Sequence, residues 1–234
     1  MNAYLAALNR KYRSIKPPPD RRLEQYAVDV GGVFLRARLI AEMVRRGRGL
    51  LVGDDDLLSL YLAGYEGLPL TVLEKDARIR AAISDNLPDG ADTTLVEADF
   101  SGIYDDMWPP FEGRVDFFAT SPPYTPEGMT LFVAIGLRHL EVGGLGFIAA
   151  PHDASHRADQ VTQHVQRFAL ANGALIERVI PAMTTEEGLP AYQIVVRKLA
   201  DVDAFDWVRP LQRTLYEYQE YGVEDAYAHQ SENG

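Results

Sequence analysis

The residues best placed to do chemistry stand in FFATSPPYTPEG, Phe117 to Gly128, where a short apolar run meets a serine, two prolines and a tyrosine. The run RVDFFAT reads as a strand closed by the Pro-Pro breaker. Each proline fixes φ and lacks an N–H, so Pro122 and Pro123 offer carbonyl acceptors and no backbone donors. Acceptors of this kind suit a nitrogen that carries hydrogens. Tyr124 adds a π face that can stack on a flat group or hold a cation. A second constellation is acidic. Gly53-Asp54-Asp55-Asp56 follows the apolar run GLLV, and Glu74 ends a later run about twenty residues on, the place where an acidic side chain accepts from ribose hydroxyls. Asp76 is the weaker candidate beside it. One aspartate would serve to cap the next helix, for a few tenths to about 1 kcal/mol. Three in succession repel one another, which favours a binding role.

These residues need elements to position them, and the chain supplies strands alternating with helical patterns, the mark of a doubly wound parallel sheet. An opening helix and the KPPPD break precede a helix in VFLRARLIAEMVRRG and a first strand, GLLVG. DDDLLSLYLAGYEG reads as a helix, PLTVLEK as a strand, DARIRAAISDN as a helix, TTLVEAD as the third strand and RVDFFAT as the fourth. PEGMTLFVAIGLRHLEVGG reads as a helix closed by paired glycines, LGFIAAP as the fifth strand and HRADQVTQHVQRFALANG as a glycine-stopped helix. ALIERVIPA and AYQIVVRKL form a closing antiparallel pair. The expected division is a helical extension over 1–24, a doubly wound α/β unit over 25–200, and an acidic, helix-prone tail over 201–234.

Composition narrows the classes of partner. At 234 residues and 47% hydrophobic content the chain can bury one large core. A net charge of -11 gives little with which to track phosphates, so a small cationic partner is expected rather than nucleic acid. With no cysteine, disulfides and thiolate metal sites are excluded. His152 and His156 stand four apart without a third ligand and read as surface histidines, so no metal is expected. No apolar run reaches membrane-spanning length, and MNAYLAALNRKYRSIKPPPD lacks the apolar centre of a signal peptide, so a cytoplasmic setting is expected. A homodimer is left open.

Seven strands in this order resemble the class I, Rossmann-like fold of S-adenosylmethionine-dependent transferases, a sheet with helices on both faces. Ligands of such sheets sit outside the carboxyl ends of the central strands. The resemblance implies donor contacts from Gly53, Asp54, Asp55 and Glu74. Asp99 would accept from the adenine amino group while Phe100 covers the ring, and Gln25 would cover the donor from the entry segment. In ordinary members the donor carboxylate approaches the first loop. Like charges about 4 Å apart at an effective dielectric near 20 repel by about 4 kcal/mol, so these aspartates favour a donor with an amine and no carboxylate.

LLVGDDDLLSLYLAGYEGLP together with SPPYTPEGMTLFVAIGL is similar to the catalytic domain of the branched-chain polyamine synthases, the N4-bis(aminopropyl)spermidine synthases. The resemblance covers about Gln25 to the closing strands. It implies decarboxylated S-adenosylmethionine, or S-adenosylmethionine itself, as group donor and a polyamine or small amine as acceptor. Asp56, Ser121, Pro122 and Tyr124 would then be catalytic, with Asp56 taking the proton or positioning the amine. Family members carry an amino-terminal winged-helix domain, for which the residues before Gln25 are too few. The family motif also opens with aspartate where this chain has Ser121. Two other classes compete: an amino-group N-methyltransferase, because TSPPY also resembles the N4-cytosine DNA methylases, and a non-catalytic polyamine-binding module. The methylase family's glycine-rich Phe-x-Gly-x-Gly loop is not found in LLVGDDD.

Overall fold

In the computed structural model the described residues are 3–23, 25, 28–100, 113–152, 156–184 and 190–202. Helix α1 (Ala3–Ile15) and a single 3-10 turn (Arg21–Leu23) precede α2 (Val30–Val44). Then come β1 (Gly49–Val52), α3 (Leu58–Gly64), β2 (Leu70–Glu74), α4 (Ala77–Asn86), β3 (Thr93–Glu97) and β4 (Val115–Thr120). The chain continues through α5 (Pro126–His139), β5 (Leu140–Pro151), α6 (His156–Ala171), β6 (Ala174–Thr184) and β7 (Pro190–Lys198). The sheet runs β3-β2-β1-β4-β5-β7-β6. Its first five strands are parallel, while β7 lies antiparallel between β5 and β6.

Both faces of the sheet are covered, as its near-continuous apolar central strands require. Leu50, Val52 and Phe118 point to the face taken by α5 and α6, against Met129, Phe132, Val133 and Val165. Leu51, Val72, Phe117 and Phe147 point to the other, against Val33, Ala37 and Ile40 of α2, Leu60 of α3 and Ile79 of α4. Leu8 and Tyr12 join that second core, so α1 packs with the sheet-covering helices.

Three element boundaries differ from the sequence reading. The stretch LEVGG does not end α5; it opens β5, because Leu140 already pairs with Val115 and the ladder slips by a bulge between Val115 and Phe117. Gly143 has φ +92 there, and a Cβ on Gly144 would stand 2.7 Å from the Asp116 carbonyl, so the paired glycines shape the bulge. Helix α3 begins only at Leu58, leaving Asp54, Asp55 and Asp56 in the turn before it. Helix α2 starts earlier, at Val30, because the Asp29 side chain accepts from the Gly32 amide as an N-cap. The acidic tail expected to be helical lies outside the described residues from 203 on.

Candidate active site

The site starts at the carboxyl end of β1. Gly53 closes the ladder by donating to the Leu73 carbonyl at 2.8 Å and then turns with φ +71. A side chain is disfavoured there twice over: the backbone is left-handed, and a Cβ would sit 3.1 Å from Phe132 Cε1. The next turn closes with the Leu57 amide on the Asp54 carbonyl at 3.0 Å. Leu57 itself is fully buried at φ +52, a strained conformation for a bulky residue and one that aims the preceding aspartates at the strand ends.

Each acidic group is held differently. Asp54 is buried, and its oxygens accept from the Ser59 amide at 3.2 and 3.4 Å, so part of its work is to cap α3. Glu74, at the end of β2, has both oxygens fixed by backbone amides, one from Asp54 at 2.8 Å and one from Asp76 at 2.7 Å. Burial, and after it the charge of Asp56, pushes the Asp54 and Asp55 carboxyls well above the usual carboxylate range. Burial likewise raises Glu74. Asp76 goes the other way: against the effect of burial, the Arg78 side chain and amide hold it below its usual value. It caps α4 and accepts from Gln25 Nε2 at 3.1 Å, which holds the Gln25 side chain at the cleft.

Asp56 turns inward. Its carboxylate pairs with Arg36 at 3.0 Å, both side chains being at most 2% exposed, and accepts from the Ser121 hydroxyl at 3.1 Å. Arg36 also donates to Ser121 Oγ at 2.6 Å and to the Thr120 carbonyl at 2.6 Å, which ties α2, the acidic turn and the end of β4 together. From below, the Tyr12 hydroxyl donates to the Asp56 carbonyl at 2.7 Å.

These groups border an open cleft at the carboxyl ends of the strands. Gly53, Asp54, Asp55, Glu74, Phe100 and Ser121 all line it, as does Gln25. Phe100 is braced by Phe132 with ring centroids 4.6 Å apart. The other expected residues are adjacent to the lining. Asp56 lies behind Ser121, and Pro123 rather than Pro122 forms the wall. Tyr124 is partly buried against the α5 core. Asp99 is half-exposed and paired at 3.0 Å with Lys75, which lines the cleft. His152 stacks on Tyr192 at 4.1 Å between centroids, away from this cleft. Sequence reading missed Arg36, Lys75 and Phe132. Arg36 left a signal: it shares a helical face with Val33, Ala37 and Ile40, where an arginine must find a buried partner.

This strand order, with helices on both faces and a cleft at the carboxyl ends of β1, β2 and β4, is the class I S-adenosylmethionine-dependent methyltransferase fold. Residues 7–202 match the branched-chain polyamine synthase A C-terminal domain, and the chain belongs to that family. Among solved structures, a branched-chain polyamine synthase mutein from Thermus thermophilus superposes with a TM-score of 0.71 at 23% identity, covering 85% of this chain and 64% of that one. A proposed RNA methyltransferase from Pyrococcus horikoshii gives a TM-score of 0.63 at 16% identity, covering 85% of this chain and 98% of that one. The uncharacterized protein MJ0675 of Methanocaldococcus jannaschii is 26% identical over 183 residues, 76% of this chain. The chain spans 45% of that relative's length.

Proposed function

We propose that this protein is an aminopropyltransferase that moves the alkyl group of decarboxylated S-adenosylmethionine to an amine nitrogen of a polyamine or small amine. The observation that carries this reading is the charge arrangement of the cleft. Arg36 is ion-paired with Asp56, while Asp54, Asp55 and Glu74 line the cleft with their carboxyls pushed up first by burial, and then by the charge of Asp56 on the two aspartates and of Asp76 on Glu74. Such a cluster gains from a cationic group and opposes a carboxylate. The Thermus thermophilus relative was crystallised with N4-aminopropylspermidine and 5'-methylthioadenosine, an alkylated polyamine and a thioether nucleoside, which supports the same reaction class for this chain.

In the proposed reaction the amine lone pair attacks the carbon attached to the sulfonium, the C–S bonding pair stays on sulfur to leave a neutral thioether, and the nitrogen loses one proton. Glu74 holds the ribose, Phe100 covers the base, and Asp54 and Asp55 meet the donor's amine. Asp99 reaches the adenine edge from the rim beside Lys75. Ser121 and the proline carbonyls orient the nucleophile, with Tyr124 behind them and Asp56 taking the proton through the Ser121 hydroxyl.

Calorimetry with the two sulfonium donors tests this. Decarboxylated S-adenosylmethionine is expected to bind at least tenfold more tightly than the parent compound. Equal or reversed affinities would sink the charge reading and leave N-methyl transfer as the better account.

A further inference from the structure

Taking transfer to an amine as proposed above, we infer that Arg36 is the positioning residue that makes the acceptor subsite select an uncharged amine nitrogen. The guanidinium has only donors to offer. Ser121 Oγ therefore accepts from it, at 2.6 Å, and the serine's own proton goes to Asp56 Oδ2 at 3.1 Å. What remains on the cleft side is a single lone pair. The hydroxyl is a one-way acceptor, held in that sense by a side chain that contacts four groups: Asp56, Ser121, Thr120 and, at 3.4 Å, the Phe147 carbonyl.

Charge gives the second half of the inference. Behind Ser121 the positive Arg36 and the negative Asp56 cancel, both of them buried. An ammonium arriving here finds an acceptor with no net negative charge in place of a carboxylate. An oxyanion nucleophile finds an acceptor and has no hydrogen to give it. The species that fits is a neutral amine, which donates one N–H to Ser121 and keeps its lone pair for the sulfonium carbon. A product nitrogen left without N–H loses this hold and departs.

The pH dependence of acceptor kinetics reads this directly. If the free base is what binds, the apparent KM for total amine falls about tenfold per pH unit below the amine pKa of about 10, and kcat stays flat. If the ammonium binds and is deprotonated in the site, KM is flat and kcat carries the slope. Wild type is expected to show the first pattern with a propylamine-bearing acceptor and saturating decarboxylated S-adenosylmethionine. Arg36→Gln exposes the Asp56 charge and is expected to move the slope from KM to kcat. Arg36→Lys keeps the charge but loses the fork that orients Ser121, and kcat is expected to drop about tenfold with donor affinity by calorimetry unchanged. Should Arg36→Gln fail to fold, the lysine variant decides. Variants that fold and keep the wild-type slopes and kcat, or a wild type whose KM does not vary with pH, would overturn the role of Arg36 while leaving amine transfer standing. No turnover of any amine with either sulfonium donor would remove both.

Discussion

At the residue scale the site separates four carboxylates by their partners. Asp56 has a guanidinium, Asp54 and Glu74 have backbone amides, and Asp55 has no ion pair within 4.0 Å among the described residues. Removing one partner of a buried ion pair costs about 3–5 kcal/mol, so Asp56→Ala is expected to lower the melting temperature sharply. Asp54→Asn and Asp55→Asn should do the opposite to stability and narrow the affinity gap between the two donors, as calorimetry on each variant would register. Glu74→Ala should weaken both donors alike, since the ribose is common to them. Ser121→Asp brings a second carboxylate to the single Arg36 and leaves net negative charge beside the acceptor, a charge-assisted contact worth about 1.5–3 kcal/mol to a cationic amine. Turnover with spermidine-like amines is expected to improve and donor affinity to stay nearly constant; an unchanged acceptor ranking across mono-, di- and triamines would show that Ser121 does not choose the acceptor.

At the scale of elements, the site depends on how closely α5 approaches the strand it follows. Thr125 caps α5 by accepting from the Gly128 amide at 3.0 Å, with Pro126 at the first helical position. The helix can start that near the proline turn only because residue 128 is glycine: a Cβ there would lie 2.7 Å from Pro123 Cβ and 3.0 Å from the Pro123 carbonyl oxygen. Backbone cannot yield as a flexible side chain can. Gly128→Ala is therefore expected to shift the proline carbonyls and cut kcat by about ten- to a hundredfold, in line with the sensitivity of positioned reactants to small displacements, while donor binding changes little. Stopped-flow turnover and calorimetry on the same sample separate those effects. Thr125→Ala, which only loses the cap, should cost about 1 kcal/mol of stability and far less activity.

For the whole molecule, the opposed carboxyl shifts set the response to pH. Asp54, Asp55 and Glu74 have folded values above their ordinary ones, so their stabilising contribution is full below the usual carboxylate pKa and is lost as pH rises through the raised values. Asp76, Asp201 and Asp20, the last held at about 2 by the Arg22 side chain, contribute above the ordinary value and lose that contribution as pH falls. The ligand-free protein is thus expected to melt at lower temperature as pH rises above the carboxylate range. A cationic donor should restore more stability the higher the pH. Scanning calorimetry with and without decarboxylated S-adenosylmethionine would show it, and a melting temperature rising with pH without ligand would contradict the assignment. The net charge of -11 also predicts no specific binding to single-stranded or duplex DNA at physiological salt, checked by fluorescence anisotropy. No helix among the described residues is long and apolar enough to cross a membrane.

Strand identity and the loops that converge could be read along the chain, because alternation of apolar runs with helical periods and the Pro-Pro, glycine and aspartate signals are local properties. Those signals and the family resemblance together put Gly53, Asp54, Asp55, Asp56, Glu74, Asp99, Phe100, Ser121, Pro122 and Tyr124 at the strand ends; Gly53, Asp54, Asp55, Glu74, Phe100 and Ser121 share one cleft, and Asp56, Asp99, Pro122 and Tyr124 are not among its lining. The glycines of LEVGG misled, since a glycine pair marks a bulge as readily as a helix stop and only the register against β4 distinguishes them. Nor could the chain tell which of three adjacent aspartates is neutralised. That depends on Arg36, 20 residues before Asp56 and 85 before Ser121, reaching both from a helix on one face of the sheet. Side-chain types fix what a group can donate or accept, but which groups stand within hydrogen-bond distance follows from how separate elements pack, and here that packing turned Asp56 inward onto Arg36 and Ser121 and left Asp54 and Asp55 lining the cleft.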